Sequence, residues 1–280
     1  DLWMGQRGGS ANARLEVNVL ISPPLEVRKE LSLSAVSERV LEMMKEGQQA
    51  SIVCFSWTRP SFDLKAELLH ERLKPESDPV EVGEPIPLKR EELPRMENET
   101  SKATLIALSG YRIPVTLRAK AKDGTPIEWG HFRRVVRLSS SDASIESVQI
   151  KVTGEVRGDI TLGGGKEAGT INLGPFRRSR GTQSEIVLHS DEKEIDLELE
   201  AARKPEYLNA TLSKPEETGG GHRRWKLRVE VPPNAVFGEF PRADNPVYRD
   251  SAIYVKTRIG KTRTSHRSIR IPVLGVANEG

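Results

Sequence analysis

The sequence predicts an all-β chain built from two copies of one sandwich unit, and three ordered matches carry that expectation. Tyr111, Ile113, Val115 and Leu117 alternate with polar residues, and Trp225, Leu227, Val229 and Val231 repeat the pattern at an offset of 114. Gly130-His131-Phe132 is matched by Gly238-Glu239-Phe240. Val148, Ile150, Val152 and Gly154 are matched by Ile269, Ile271, Val273 and Gly275. A period of two belongs to strands that bury one face, and its recurrence in the same order marks a duplicated unit.

Taken in order, the elements fill both copies. Residues 1–13, with Gly5, Gly8, Gly9 and Ser10, lack periodicity and read as a flexible leader. Leu15, Val17 and Val19 alternate as a strand that ends at Pro23-Pro24, and Leu25 to Leu33 continues as an extended piece. Val36, Val40, Met43 and Met44 fall at helical spacing, with Ser34 as N-cap, Gly47 as the stop and the methionine pair as core filler. Strands are expected at Ser51–Trp57 and Phe62–Leu69. The stretch from Lys74 to Lys102 is rich in Pro and Glu and reads as a long acidic loop with one edge strand near Val80 to Val82. Strands Thr104–Ala119, Arg134–Ser139 and Ser147–Val156 complete the first unit.

The second unit starts at Ile160 and Leu162 and continues through Ile171, Leu173 and Gly174-Pro175. Strands follow at Glu185–Ser190, Ile195–Ala201, Leu208–Leu212, Arg224–Val231, Ser251–Thr257 and Ser268–Leu274. About seven short strands per unit at this spacing are the pattern of an immunoglobulin-like sandwich. The fold class is therefore all-β, two tandem immunoglobulin-like β-sandwich domains at 14–156 and 157–280, with one short helix in the first. Only Arg157-Gly158-Asp159 separates them, which predicts an elongated rod with restricted hinge motion. Pro272 cannot donate to a ladder, so its strand is expected at an edge or a bulge.

With 280 residues, each half is large enough for its own core. Aromatics at 5% and charged residues at 30% make a polar chain that still falls within the folding range. The lone Cys54 excludes an intrachain disulfide, and its setting in Ser51-Ile52-Val53-Cys54-Phe55 points to a core position rather than a reactive thiol. No stretch has the apolar length of a membrane span. The chain begins at Asp1 without methionine and reads as trimmed.

The net charge of +3 hides an asymmetry. Between Asp63 and Glu99 stand eleven acidic and six basic residues; between His222 and Arg270 stand twelve basic and four acidic. Arg223, Arg224, Arg263 and Arg267 are the candidate contacts for an acidic glycan or other polyanion. The competing reading makes the basic residues the outward positions of alternating strands. Nucleic acid is not expected, since stacking aromatics are not interleaved with the cations.

Chemical motifs fail on inspection. Gly163-Gly164-Gly165-Lys166 has Ile160 where a phosphate loop needs glycine and Glu167 where it needs a hydroxyl; Gly260-Lys261-Thr262 has Val255 at the leading position. The five histidines show no metal-ligand spacing, no nucleophile elbow is present, and no catalytic, cofactor or metal residue is nominated. Asn98-Glu99-Thr100 and Asn209-Ala210-Thr211 match the glycosylation acceptor pattern, which matters only in a eukaryotic secretory setting.

The closing run Arg267-Ser268-Ile269-Arg270-Ile271-Pro272-Val273-Leu274-Gly275, after Gly238-Glu239-Phe240 and Ile253 to Thr257, resembles the bacterial domain-of-unknown-function family 1573, an immunoglobulin-like group. The first unit carries a weaker version in Gly130-His131-Phe132 and Ser147 to Val156. The resemblance implies an exported bacterial protein, periplasmic or at the cell surface, with a signal or anchor expected before residue 1, and supplies no catalytic residues. The expected function is a non-enzymatic adhesion or scaffold segment with a protein or cell-surface partner, strand addition at the Pro272 edge being the first place to look. The alternative is a polyanion-binding module on the basic face of the second domain.

Overall fold

A computed structural model describes residues 2–4, 13–15, 23–28, 30–70, 73–97, 104–163, 169–240, 251–259 and 266–279. The first half runs β1 (Leu2–Met4), β2 (Ala13–Leu15), β3 (Glu26–Val27), β4 (Glu30–Ser32), β5 (Val36–Ser37), α1 (Glu38–Met43), β6 (Gln48–Ser56) and β7 (Lys65–Leu69). It continues with β8 (Val80–Val82), β9 (Ile86–Pro87), β10 (Arg95–Glu97), β11 (Thr104–Ile106), β12 (Ser109–Leu117), β13 (Trp129–Ser139) and β14 (Val148–Arg157). The second half adds β15 (Ile160–Gly163), β16 (Ile171–Arg177), β17 (Thr182–Ser190), β18 (Ile195–Leu199), β19 (Asn209–Leu212) and β20 (Glu216–Thr218). It ends with β21 (His222–Val231), β22 (Gly238–Phe240), β23 (Ala252–Ile259) and β24 (Ser268–Asn278).

Two tandem immunoglobulin-like sandwiches result, and their wiring repeats. One outer sheet is ordered β3-β6-β12-β8, with β9 also on β12; the other is β15-β17-β21-β19, with β20 also on β21. In each half the closing strand, β14 or β24, takes a parallel partner from the start of its own unit: β4 and β5 on β14, β16 on β24. Tyr111 and Trp225, the heads of the first sequence match, both lie on the central strand of an outer sheet. The second and third matches meet each other in space. Phe132 stands opposite Gly154, and Phe240 opposite Gly275. A Cβ on Gly154 would lie 2.6 Å from the Phe132 ring, and one on Gly275 would lie 2.6 Å from the Phe240 ring. Gly130 and Gly238 both have φ +83. The repeated glycines and phenylalanines are thus one packing device used twice: a strand entry in the left-handed region and a ring laid over a bare backbone.

The two inner sheets are one. β13 and β24 pair in parallel, Trp129 with Ile269 and Gly130 with Arg270, and this joins them into a ten-stranded sheet. Buried apolar residues from both halves, Leu25 through Ala277, form one contiguous cluster. Cys54 is in it, as expected.

Several expectations change. The helix begins two residues later than Val36: Ser37, not Ser34, caps it by accepting from Val40 N at 3.3 Å, while Val36 and Ser37 pair with β14. Met43 and Met44 are exposed rather than core filler, and Leu41 anchors the helix instead. The Lys74–Lys102 stretch holds the expected edge strand, β8 on β12, and also β9 and β10. Thr104–Ala119 is two strands, β11 turning back on β10 before β12 begins. Pro272 lies in an interior strand of the ten-stranded sheet. Val273 N donates to Ser251 O at 2.8 Å, so position 272 turns its nitrogen to the opposite side, where β24 changes neighbour from Gly130 to Ile171. The missing donor falls in that gap and no sheet edge is needed. Most of the strand expected at Leu15 to Val19 lies outside the described residues, and of the leader only β1 and β2 are described, paired with each other.

Candidate functional site at the sandwich junction

Two glycines, Gly158 in the link and Gly130 in β13, allow the close approaches at the junction. Trp129, 3% exposed, opens β13 with its ring against the backbone of Gly158 in the link, where a Cβ would lie 2.0 Å from the ring. Gly130 follows at φ +83, and a Cβ there would lie 2.6 Å from the Arg270 carbonyl oxygen, so the parallel ladder closes only without a side chain. Glu38, in the first turn of α1, completes the arrangement. Its Oε2 accepts from Trp129 Nε1 at 2.8 Å and its Oε1 from Arg267 Nε at 2.7 Å. The Glu38 and Arg267 side chains are 12% and 15% exposed, so this pair is desolvated and charge-assisted. Arg270, also buried, donates through Nη1 to His131 O at 2.7 Å. Beside this lies a cavity of about 210 Å³ whose wall includes Glu128, Glu200, Lys256, His266 and Ser268.

Of the four nominated arginines, the three described ones, Arg223, Arg224 and Arg267, are each engaged by a different partner. Arg223 and Arg224 are consecutive on β21 and face opposite sides of the sheet. Arg224 Nη2 donates to Glu216 Oε2 at 2.8 Å, and Lys226 Nζ lies 3.7 Å from the other oxygen. The Arg224 hydrogen bond, followed by the charge of Lys226, holds the Glu216 carboxyl below the usual range. Arg223 Nη1 donates to Ile195 O at 2.9 Å. Arg267 is bound into the junction by Glu38. Arg263 lies outside the described residues, as do Gly260-Lys261-Thr262, Gly164 to Glu167 and Asn98-Glu99-Thr100. Among the described residues no three His, Cys, Asp or Glu side chains converge as metal ligands, and no helix is long and apolar enough to cross a membrane.

One polar cluster gave no sequence signal. Asp78, 4% exposed, accepts from Arg134 Nε at 2.9 and 3.0 Å and from Val80 N at 3.1 Å, with His70 Nδ1 at 3.5 Å. It fixes the start of β8, and Arg134 reaches it from the facing sheet. The partners are 56 positions apart, so only the fold brings them together.

No protein-family model matches the chain, and no curated protein does. Among solved structures it is similar to the cadherin-like domains 1 to 4 of zebrafish RET, at 7% identity and TM-score 0.27, over 71% of this chain and 42% of that one. It is also similar to FdeC, an Escherichia coli adhesin, at 13% identity and TM-score 0.24, over 94% of this chain and 68% of that one. The titin pair A168–A169 matches at 11% identity and TM-score 0.23, over 89% of this chain and 98% of that one. These scores assign the chain to none of them.

Proposed function

We propose that the chain is a non-enzymatic spacer and protein-contact segment, an adhesion or scaffold piece of an exported bacterial protein of the family 1573 kind, with its sandwiches dividing between residues 156 and 157. One observation carries this reading: the ladder from β13 to β24, closed by Glu38 on Trp129 and Arg267, makes two sandwiches into one mechanical body. A spacer that presents a partner surface at a fixed angle needs this coupling; independent binding beads do not. The test is a distance measurement between spin labels on exposed positions, one in each sandwich. Cys54 is buried, its thiol pushed up to about 12, and does not compete for the label. A single narrow distance supports the reading, and a broad distribution of freely reorienting sandwiches removes it.

The second reading, capture of an acidic glycan or other polyanion, rests on the basic excess from His222 to Arg270. Engagement of Arg224 by Glu216 and of Arg267 by Glu38 favours the spacer, because a polyanion must first compete with those carboxylates. Heparin retention surviving physiological salt, and lost in Arg223→Ala/Arg224→Ala, would favour polyanion capture instead.

A further inference from the structure

Strand β6 reads Gln48-Gln49-Ala50-Ser51-Ile52-Val53-Cys54-Phe55-Ser56, without a charge or a proline. On one side β12 pairs with its whole length; on the other, β3 covers only Phe55 and Cys54. Among the described residues no strand pairs with that second side from Gln48 to Val53. A proline fixes where the backbone points. Pro114 stands opposite Ser51, and its carbonyl accepts from Gly83 N at 2.9 Å on the far side of β12. Ser51 therefore belongs to a pair that exchanges no hydrogen bond with β12, and its N–H and C=O face the open side, as do those of Gln49 and Val53 at a period of two. The side chains of these three also point outward, while Ile52 is buried and Ala50 half-buried. A groove of about 840 Å³ runs along this edge, with Leu31, Ile52, Val53 and Phe55 in its wall beside the charged Glu26, Arg28 and Glu30 of the neighbouring segment.

We propose that this edge is where a second copy of the chain joins the sheet, antiparallel and two-fold symmetric about Ser51. With Ser51 opposite Ser51, Gln49 meets Val53 and Ala50 meets Ile52. That register sets the free N–H and C=O groups against each other and keeps Ala50 and Ile52 on the core face; a slip of one residue breaks both matches. A two-fold contact requires a surface complementary to itself. An uncharged strand meets that requirement, whereas edges that must stay single are guarded by charge, proline or a bulge. Three other edge strands carry such guards, Lys65 and Glu67 in β7, Asp196 and Glu198 in β18, Glu216 and Glu217 in β20, while the uncharged edges β15 and β19 are only four residues long against nine in β6.

The test is sedimentation of the full chain across a concentration series, with amide exchange read at individual residues. A dimer should form by mass action, and the amides of Gln49, Ser51 and Val53 should exchange more slowly as it forms. Val53→Lys should abolish the dimer. Ser51→Pro should do so too, because it removes a donor that β12 does not use. If one variant fails to fold, the other decides. A chain that stays monomeric at every concentration overturns the proposal. So does a dimer that survives both substitutions, or a monomer whose three amides are already protected by another segment.

Discussion

At the scale of single residues, the cost of burial explains what is reactive and what is not. Cys54 has no exposed surface, and desolvation raises its thiol from 9.0 to about 12, against a weaker opposing hydrogen bond with the Tyr111 backbone. The folded value exceeds the unfolded one, so this neutral thiol contributes stability that is complete below pH 9.0 and is lost as pH rises toward about 12. Unfolding midpoints measured across that window should fall, and Cys54→Val should flatten that part of the slope. A thiol reagent should label the native chain far more slowly than the denatured one. The duplicated Phe and Gly pairs offer a second test. Gly154→Val and Gly275→Val drive a branched side chain into Phe132 and Phe240, and each should destabilise by about 3 kcal/mol in denaturant melts. Equal effects at both sites would confirm one device used twice.

At the scale of elements, position in the fold decides what local pattern leaves open. Helical spacing from Val36 to Met44 located α1, but Ser34 and Ser37 are both sound caps, and only pairing of Val36 and Ser37 with β14 selects the later one. Ser37→Ala should cost about 1 kcal/mol in thermal or chemical melts, and Ser34→Ala almost nothing. The methionine pair looked like core because helical spacing names a face without naming its neighbour; in the fold Leu41 alone meets the core. Pro272 argued for an edge because a proline interrupts a ladder, yet a strand that changes neighbours can place the missing donor at the exchange. The Lys74–Lys102 stretch lacked alternation because β8 and β9 are short; its described part is held by their pairing with β12, by β10 on β11 and, across sheets, by Asp78 on Arg134.

At the scale of the whole molecule, the junction is the decisive feature. Removing Glu38 would strand a desolvated guanidinium and an indole N–H at once. Glu38→Ala should therefore cost about 2 kcal/mol and split a single cooperative unfolding transition, followed by calorimetry, into two. Glu38→Gln should restore part of the coupling by accepting from one of the two donors. A single unchanged transition in Glu38→Ala would show that the contiguous core holds the halves together without the clamp.

The sequence by itself determined the class of fold, the duplication and the burial of Cys54, because alternation at a period of two and the Gly and Phe matches are local consequences of which face each residue must bury. It also located the two central strands headed by Tyr111 and Trp225. Only the tertiary structure decided that the inner sheets fuse through Gly130 and Arg270, that Glu38 meets a residue 229 positions away, and that Arg224 and Arg267 are held by separate carboxylates. Contacts between distant positions depend on strand order and register, and a pattern of inward and outward residues holds for many arrangements until packing selects one.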